Sequence, residues 1–123
     1  MSYGRGTCRV LVVEDDPLSR SALAALLEHV GCTCCTAQSL EEATALLDGQ
    51  SHVITDLMLT NSTGAELLML IRRRGLPHHV AVLTALERDH DLVRRVRELE
   101  PEVLLRKPVD VDALLGWLDH SRA

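Results

Sequence analysis

Phenylalanine is absent from this 123-residue chain and Tyr3 and Trp117 are its only aromatic residues, so Leu, Val and Ala must fill any core. No apolar run approaches the roughly 18 residues that a membrane span requires. Residues Met1 to Thr7 also lack the long apolar region of a signal peptide. Bases are few beside acids, 13 against 18, and the net charge of −5 argues against nonspecific binding to nucleic acid or a membrane surface. The cytoplasm is the expected compartment. Cysteine occurs four times, but three are crowded into Cys32-Thr33-Cys34-Cys35 and only Cys8 lies elsewhere, which argues against zinc. In an extended segment Cys32 and Cys34 share one face and Cys35 the other, as reduced small hydrophobes. The six His show no ligand spacing. Scarcest of the charged residues is lysine: Lys107 stands alone beside twelve Arg. A compact ammonium on a flexible stem reaches a single anion in a way that Arg's planar fork does not.

What is present alternates between short β-branched runs and longer segments of helical spacing. Strands are expected at 9–13, 32–36, 52–56, 79–84 and 103–106. Asp16 caps a helix that opens at Pro17 and runs through Leu23, Leu26 and Leu27 to Gly31. Ser39-Leu40-Glu41-Glu42 reads as a capping box, with Ala43, Leu46 and Leu47 as the stripe of a helix ending at Gly49. Helices are also expected from Ala65 to Arg74, stopped by Gly75, from Glu87 to Leu99, and after Asp110 through Leu118. Five strands alternating with five helices predict an α/β fold, a doubly wound parallel sheet covered on both faces. The length suits one domain without repeats or linkers, so an output domain would lie outside this chain.

In such a sheet ligands bind at the carboxyl ends of the strands. Glu14 and Asp15 follow the first strand, Asp56 ends the third, Thr84 ends the fourth and Lys107 follows the fifth. One rim then holds three carboxylates, a hydroxyl and an ammonium. Two carboxylates about 4 Å apart repel by roughly 4 kcal/mol at an effective dielectric near 20, and one Lys does not neutralise three acids. Hard oxygen donors favour Mg²⁺ or Mn²⁺, which bridges readily to phosphate. With a metal and Lys107 stabilising a phosphoryl group and Thr84 donating to one of its oxygens, Asp56 is the nucleophile that forms an acyl phosphate. On this reading Asp15→Asn relieves repulsion and raises stability without metal. Asp16 reads as a helix cap, and Arg72-Arg73-Arg74 as cations matched to a helix C-terminus.

These residues resemble the receiver domain of two-component response regulators, over residues 8–120 with residues 1–7 as a flexible N-terminus. The motifs that carry the resemblance are Leu11-Val12-Val13-Glu14-Asp15-Asp16-Pro17, Asp56-Leu57-Met58-Leu59 with Gly64 eight residues on, Leu83-Thr84-Ala85, and Lys107-Pro108. The resemblance implies the flavodoxin-like receiver fold with strand order 2-1-3-4-5. It implies Asp56 as the phosphoacceptor, and Mg²⁺ held by Asp15, Asp56 and the Met58 carbonyl, with Glu14 acting through water. Thr84 and Lys107 would contact the phosphoryl group, and the Lys107–Pro108 peptide would be cis. The implied partners are a sensor histidine kinase or histidine phosphotransfer protein, and a downstream protein or an output domain absent from this chain. Neither nucleic acid nor membrane is among them. The chain would be no enzyme beyond its own phosphorylation and dephosphorylation.

Two departures stand out. Thr60 replaces the Pro that the family usually has four residues after the phosphoacceptor, which predicts a looser loop. Leu104 replaces the usual Tyr or Phe three residues before Lys, which removes the ring that normally moves on activation. Both favour the alternative of a pseudo-receiver, a phosphate-independent interaction module. A phosphohydrolase is disfavoured, because no second acid follows Asp56 in an Asp-x-Asp arrangement to protonate a leaving group.

Overall fold

The computed structural model describes residues 8–122, and the N-terminus expected to be flexible, residues 1–7, lies outside the described residues. Elements follow in the order β1 (Arg9–Val13), α1 (Pro17–His29), β2 (Thr33–Ala37), α2 (Leu40–Leu46), β3 (His52–Asp56), β4 (Met58–Leu59), β5 (Ser62–Thr63), α3 (Gly64–Arg73), β6 (His79–Thr84), α4 (Asp91–Glu98), β7 (Val103–Arg106) and α5 (Val111–Arg122). The main sheet is parallel with order β2-β1-β3-β6-β7. That is the expected order 2-1-3-4-5 once the short hairpin β4–β5, unforeseen in the sequence, is set aside.

Period-two alternation puts the two cores on opposite faces. Leu11, Val13, Val53, Val80 and Val82 pack with Leu47 of the α2 C-cap and with α3 and α4, while Val10, Val12, Ile54, Ala81 and Leu83 pack with Leu27 of α1 and Leu114 and Leu118 of α5. Cys34 joins the second cluster and Cys35 the first, as their spacing predicts. Burial pushes the Cys8 thiol up to about 12, so it stays protonated at neutral pH.

Helix starts follow their caps. Asp16 Oδ2 accepts from Ser19 N–H at 2.9 Å and begins α1. Ser39 caps α2, but its capping box is only half formed: Glu42 reaches past Ser39 to the Gln38 amide at 3.2 Å. The full box is at Thr63, where Glu66 N–H donates to Thr63 Oγ1 and Thr63 N–H donates to Glu66. Helix α4 begins four residues later than its spacing suggests. His90 caps it, its Nδ1 accepting from Leu92 N–H, and residues 85–90 form a connecting loop instead. Among the described residues no helix is long and apolar enough to cross a membrane.

Candidate phosphoryl and metal site

Parallel pairing brings the ends of β1, β3, β6 and β7 to one rim, and the residues singled out there do meet. Lys107 Nζ donates to Glu14 Oε1 and to Asp56 Oδ2, each at 2.8 Å. Glu14, Asp15 and Asp56 each offer a carboxylate oxygen within 4.8 Å of the others. The Lys107–Pro108 peptide is cis. Thr84 is buried, its Oγ1 accepting from Leu86 N–H at 2.9 Å and its carbonyl accepting from Lys107 N–H at 2.8 Å. Met58, two residues past Asp56, opens β4 opposite Thr63.

The loop expected to be loose is tethered. Thr60 Oγ1 donates to Asp15 Oδ2 at 2.7 Å, and Asn61 beside it turns the hairpin with φ of 62°. On the other side Arg20 Nη1 donates to the Glu14 carbonyl at 3.0 Å, so the backbone that carries the two acids is held from α1. Sequence reading found Thr60 only as a missing Pro. Its hydroxyl, four residues past Asp56 and across from Asp15, has a signal only once the hairpin is known.

Charge is unevenly borne across the rim. Glu14, only 2% exposed, has its pKa raised, first by burial and then by the charge of Asp56, against the lowering effect of Lys107. Asp15 is shifted the other way, chiefly by the hydrogen bond from Thr60. Burial opposes the Lys107 ammonium, but its hydrogen bonds to Asp56 and Glu14 outweigh that and hold its pKa above the usual value. The two shifts point to Glu14, rather than Asp15, as the acid on which burial and the charge of Asp56 weigh most. In metal-free buffer Glu14→Gln should raise stability at neutral pH by on the order of 1 kcal/mol, or about 4 °C in Tm. Asp15→Asn should give no gain. A raised acid pKa means that the folded state binds the extra proton. The benefit of Glu14→Gln should therefore fade as pH falls through that raised pKa toward the ordinary 4.5. Thermal melts of both variants across that range check this, and a stabilised Asp15→Asn would reverse the assignment.

Three carboxylates beside one ammonium make an oxygen-rich donor set with unbalanced negative charge, which suits a hard divalent cation. Residues 10–119 match the family model described as "Response regulator receiver domain". The chain is 39% identical over 88 residues to the transcriptional regulatory protein PmrA of Pectobacterium parmentieri, covering 69% of this chain and 39% of that protein. It is 29% identical over 112 residues to a cyclic di-GMP phosphodiesterase of Thermotoga maritima, covering 91% of this chain and 30% of that one. The chain thus spans about a third of the length of these curated relatives. A response regulator receiver protein from Pseudomonas putida superposes with a TM-score of 0.83 at 30% identity, over 94% of this chain and 98% of that chain.

Proposed function

The chain belongs to the response regulator receiver domain family, and from that premise we propose that Asp56 accepts a phosphoryl group from a histidine kinase or histidine phosphotransfer protein. The observation that carries the reading is Lys107, whose ammonium bridges Asp56 and Glu14 at 2.8 Å each and so sits where phosphoryl oxygens would arrive. With Oδ2 of Asp56 held by Lys107, Oδ1 is the oxygen that meets phosphorus. A phosphorus–oxygen bond to Asp56 forms as the phosphorus–nitrogen bond of the donor phosphohistidine breaks, its electron pair returning to the imidazole. Lys107 then follows the charge from the carboxylate to the phosphoryl oxygens, and Thr84 donates its hydroxyl proton to one of them.

Asp15, Asp56 and the Met58 carbonyl, with Glu14 through water, would hold Mg²⁺ or Mn²⁺, which when bound neutralises charge on the phosphoryl oxygens. We take residues 8–120 as one receiver unit acting in the cytoplasm. Its output would pass to a downstream protein or to a domain outside this chain, with no direct contact to nucleic acid. It turns over only its own phosphoryl group. The phosphodiesterase activity named for the Thermotoga relative belongs to that longer protein.

Acetyl phosphate or phosphoramidate with Mg²⁺ should add one phosphoryl group to the intact mass, and Asp56→Ala should abolish the addition. Wild-type protein that never gains mass from a competent donor would favour the phosphate-independent interaction module. Labelling that persists in Asp56→Ala would move the acceptor elsewhere.

A further inference from the structure

Both backbone polar groups of Leu86 are held by side chains that end rim strands. Its N–H donates to Thr84 Oγ1 at 2.9 Å, and its carbonyl accepts from Arg106 Nη1 at 2.6 Å. Thr84 and Arg106 are register partners across β6 and β7, and Lys107, next in the chain, returns its own N–H to the Thr84 carbonyl at 2.8 Å. Thr84, Leu86, Arg106 and Lys107 thus close a ring of hydrogen bonds around the end of β6. Leu86 lies in the connecting loop of residues 85–90, where regular secondary structure does not fix the backbone. Its side chain packs against the first core cluster, and those two side-chain bonds set the direction of its backbone.

The chemistry of a hydroxyl gives the ring a consequence. A Thr hydroxyl has one proton to donate and two lone pairs that accept. With one lone pair taken by Leu86 N–H, Oγ1 is fixed in place while its proton stays free for an anion. The bond from Arg106 to the Leu86 carbonyl is charge-assisted and hence the stronger of the two holding Leu86. Leu104 offers no ring that could link β7 to this loop, whereas Arg106 on the same strand reaches it directly.

We propose that Arg106 is a positioning residue for the Thr84 hydroxyl: by holding the Leu86 carbonyl it keeps the Leu86 amide on Thr84 Oγ1, and so keeps the hydroxyl proton aimed at a phosphoryl group on Asp56. This rests on the receiver reading of Asp56 and Thr84, and it assigns to Arg106 the link between the rim and the loop that leads into α4. It also predicts that occupancy of Asp56 is felt at the Arg106 guanidinium.

The test titrates Mg²⁺ alone, and then beryllofluoride with Mg²⁺, into labelled wild type, Arg106→Met and Arg106→Lys, following backbone amide shifts. Arg106→Met keeps most of the stem and removes the donors, whereas Arg106→Lys keeps one donor. Beryllofluoride affinity should fall about fivefold to tenfold in Arg106→Met while Mg²⁺ affinity stays within about twofold. The Leu86 amide should exchange faster with solvent, and Arg106→Lys should recover most of the beryllofluoride affinity. Wild-type-like beryllofluoride binding in Arg106→Met would overturn the inference alone. An equal loss for Mg²⁺ and beryllofluoride would also overturn it, by showing that Arg106 only supports the fold. Failure of the wild type to bind beryllofluoride would overturn the receiver reading and this inference together.

Discussion

Gly64→Ala is expected to lower the stability of the folded chain by about 3 kcal/mol, at the upper end of overpacking costs, and to drop Tm by roughly 10 °C. A Cβ at this position would stand 2.5 Å from the backbone carbonyl of Asp56 and 3.1 and 3.2 Å from the side chain of Thr55. Neither neighbour yields easily. Thr55 is fully buried, and its hydroxyl donates to that same Asp56 carbonyl at 2.9 Å. Gly64 is itself tied down, its N–H donating to the Leu57 carbonyl at 2.8 Å as α3 begins. The new methyl therefore displaces backbone at Asp56, so on the proposed reading phosphoryl uptake should fall along with stability. Gly116 is the internal control. It lies exposed within α5 with nothing within 4 Å of an added Cβ, and Gly116→Ala should stabilise by about 0.5 to 1 kcal/mol through helix propensity. Chemical denaturation of the two variants in parallel separates the cases. A Gly64→Ala protein within about 0.5 kcal/mol of wild type would mean that α3 does not press on β3 as described.

The family resemblance marked Gly64 by its distance along the chain, eight residues from Asp56, but only the packing of α3 against β3 gives the reason for it. The same division holds elsewhere. Four of the five long strands were legible because apolar runs bounded by polar residues need no tertiary knowledge, and the rim followed from where those runs stop. The fifth, β2, a Thr- and Cys-rich segment expected at 32–36, is shifted by one residue to Thr33–Ala37. Two-residue strands leave no periodicity, so Met58–Leu59 and Ser62–Thr63 passed as loop and the Thr60 tether to Asp15 went with them. The start of α4 was misplaced for a different reason. Residues Glu87 to His90 carry helix-compatible polar side chains but no apolar anchor beyond Leu86, and a His cap is not among the usual signals. Charge partition was hidden as well. Sequence shows three acids together, yet only burial and a hydroxyl partner tell which one is strained, and they select Glu14 over Asp15.

Lys107→Met in metal-free buffer should cost about 2 to 3 kcal/mol at neutral pH. Removing one partner of a buried ion pair typically costs about 3 to 5 kcal/mol, and here the side chain is 27% exposed and Glu14 can take up a proton, both of which soften the loss. The size of the loss should depend on pH from both sides. Without the ammonium, which holds the Glu14 pKa down, that carboxyl rises further, so the deficit is greatest where Glu14 would have to stay ionised. It should shrink as pH falls through the raised pKa toward 4.5, where the acid is protonated folded or unfolded. On the alkaline side the Lys107 pKa is raised in the folded state. Its contribution is complete below the unfolded value of 10.5 and is lost as pH climbs through the folded value, so the two proteins converge again above that point. Adding Glu14→Gln to Lys107→Met should recover much of the stability, because the double variant no longer buries an unpaired carboxylate. Lys107→Arg separates charge from shape. It should keep stability within about 1 kcal/mol of wild type yet bind beryllofluoride poorly, since a planar fork cannot bridge Glu14 and Asp56 from one nitrogen and then turn to a phosphoryl oxygen. Thermal melts across pH for the four proteins measure the first set of effects and amide-shift titrations the last. A Lys107→Met protein as stable as wild type, with a difference flat in pH, would mean that the ammonium does not bridge the two carboxylates in solution.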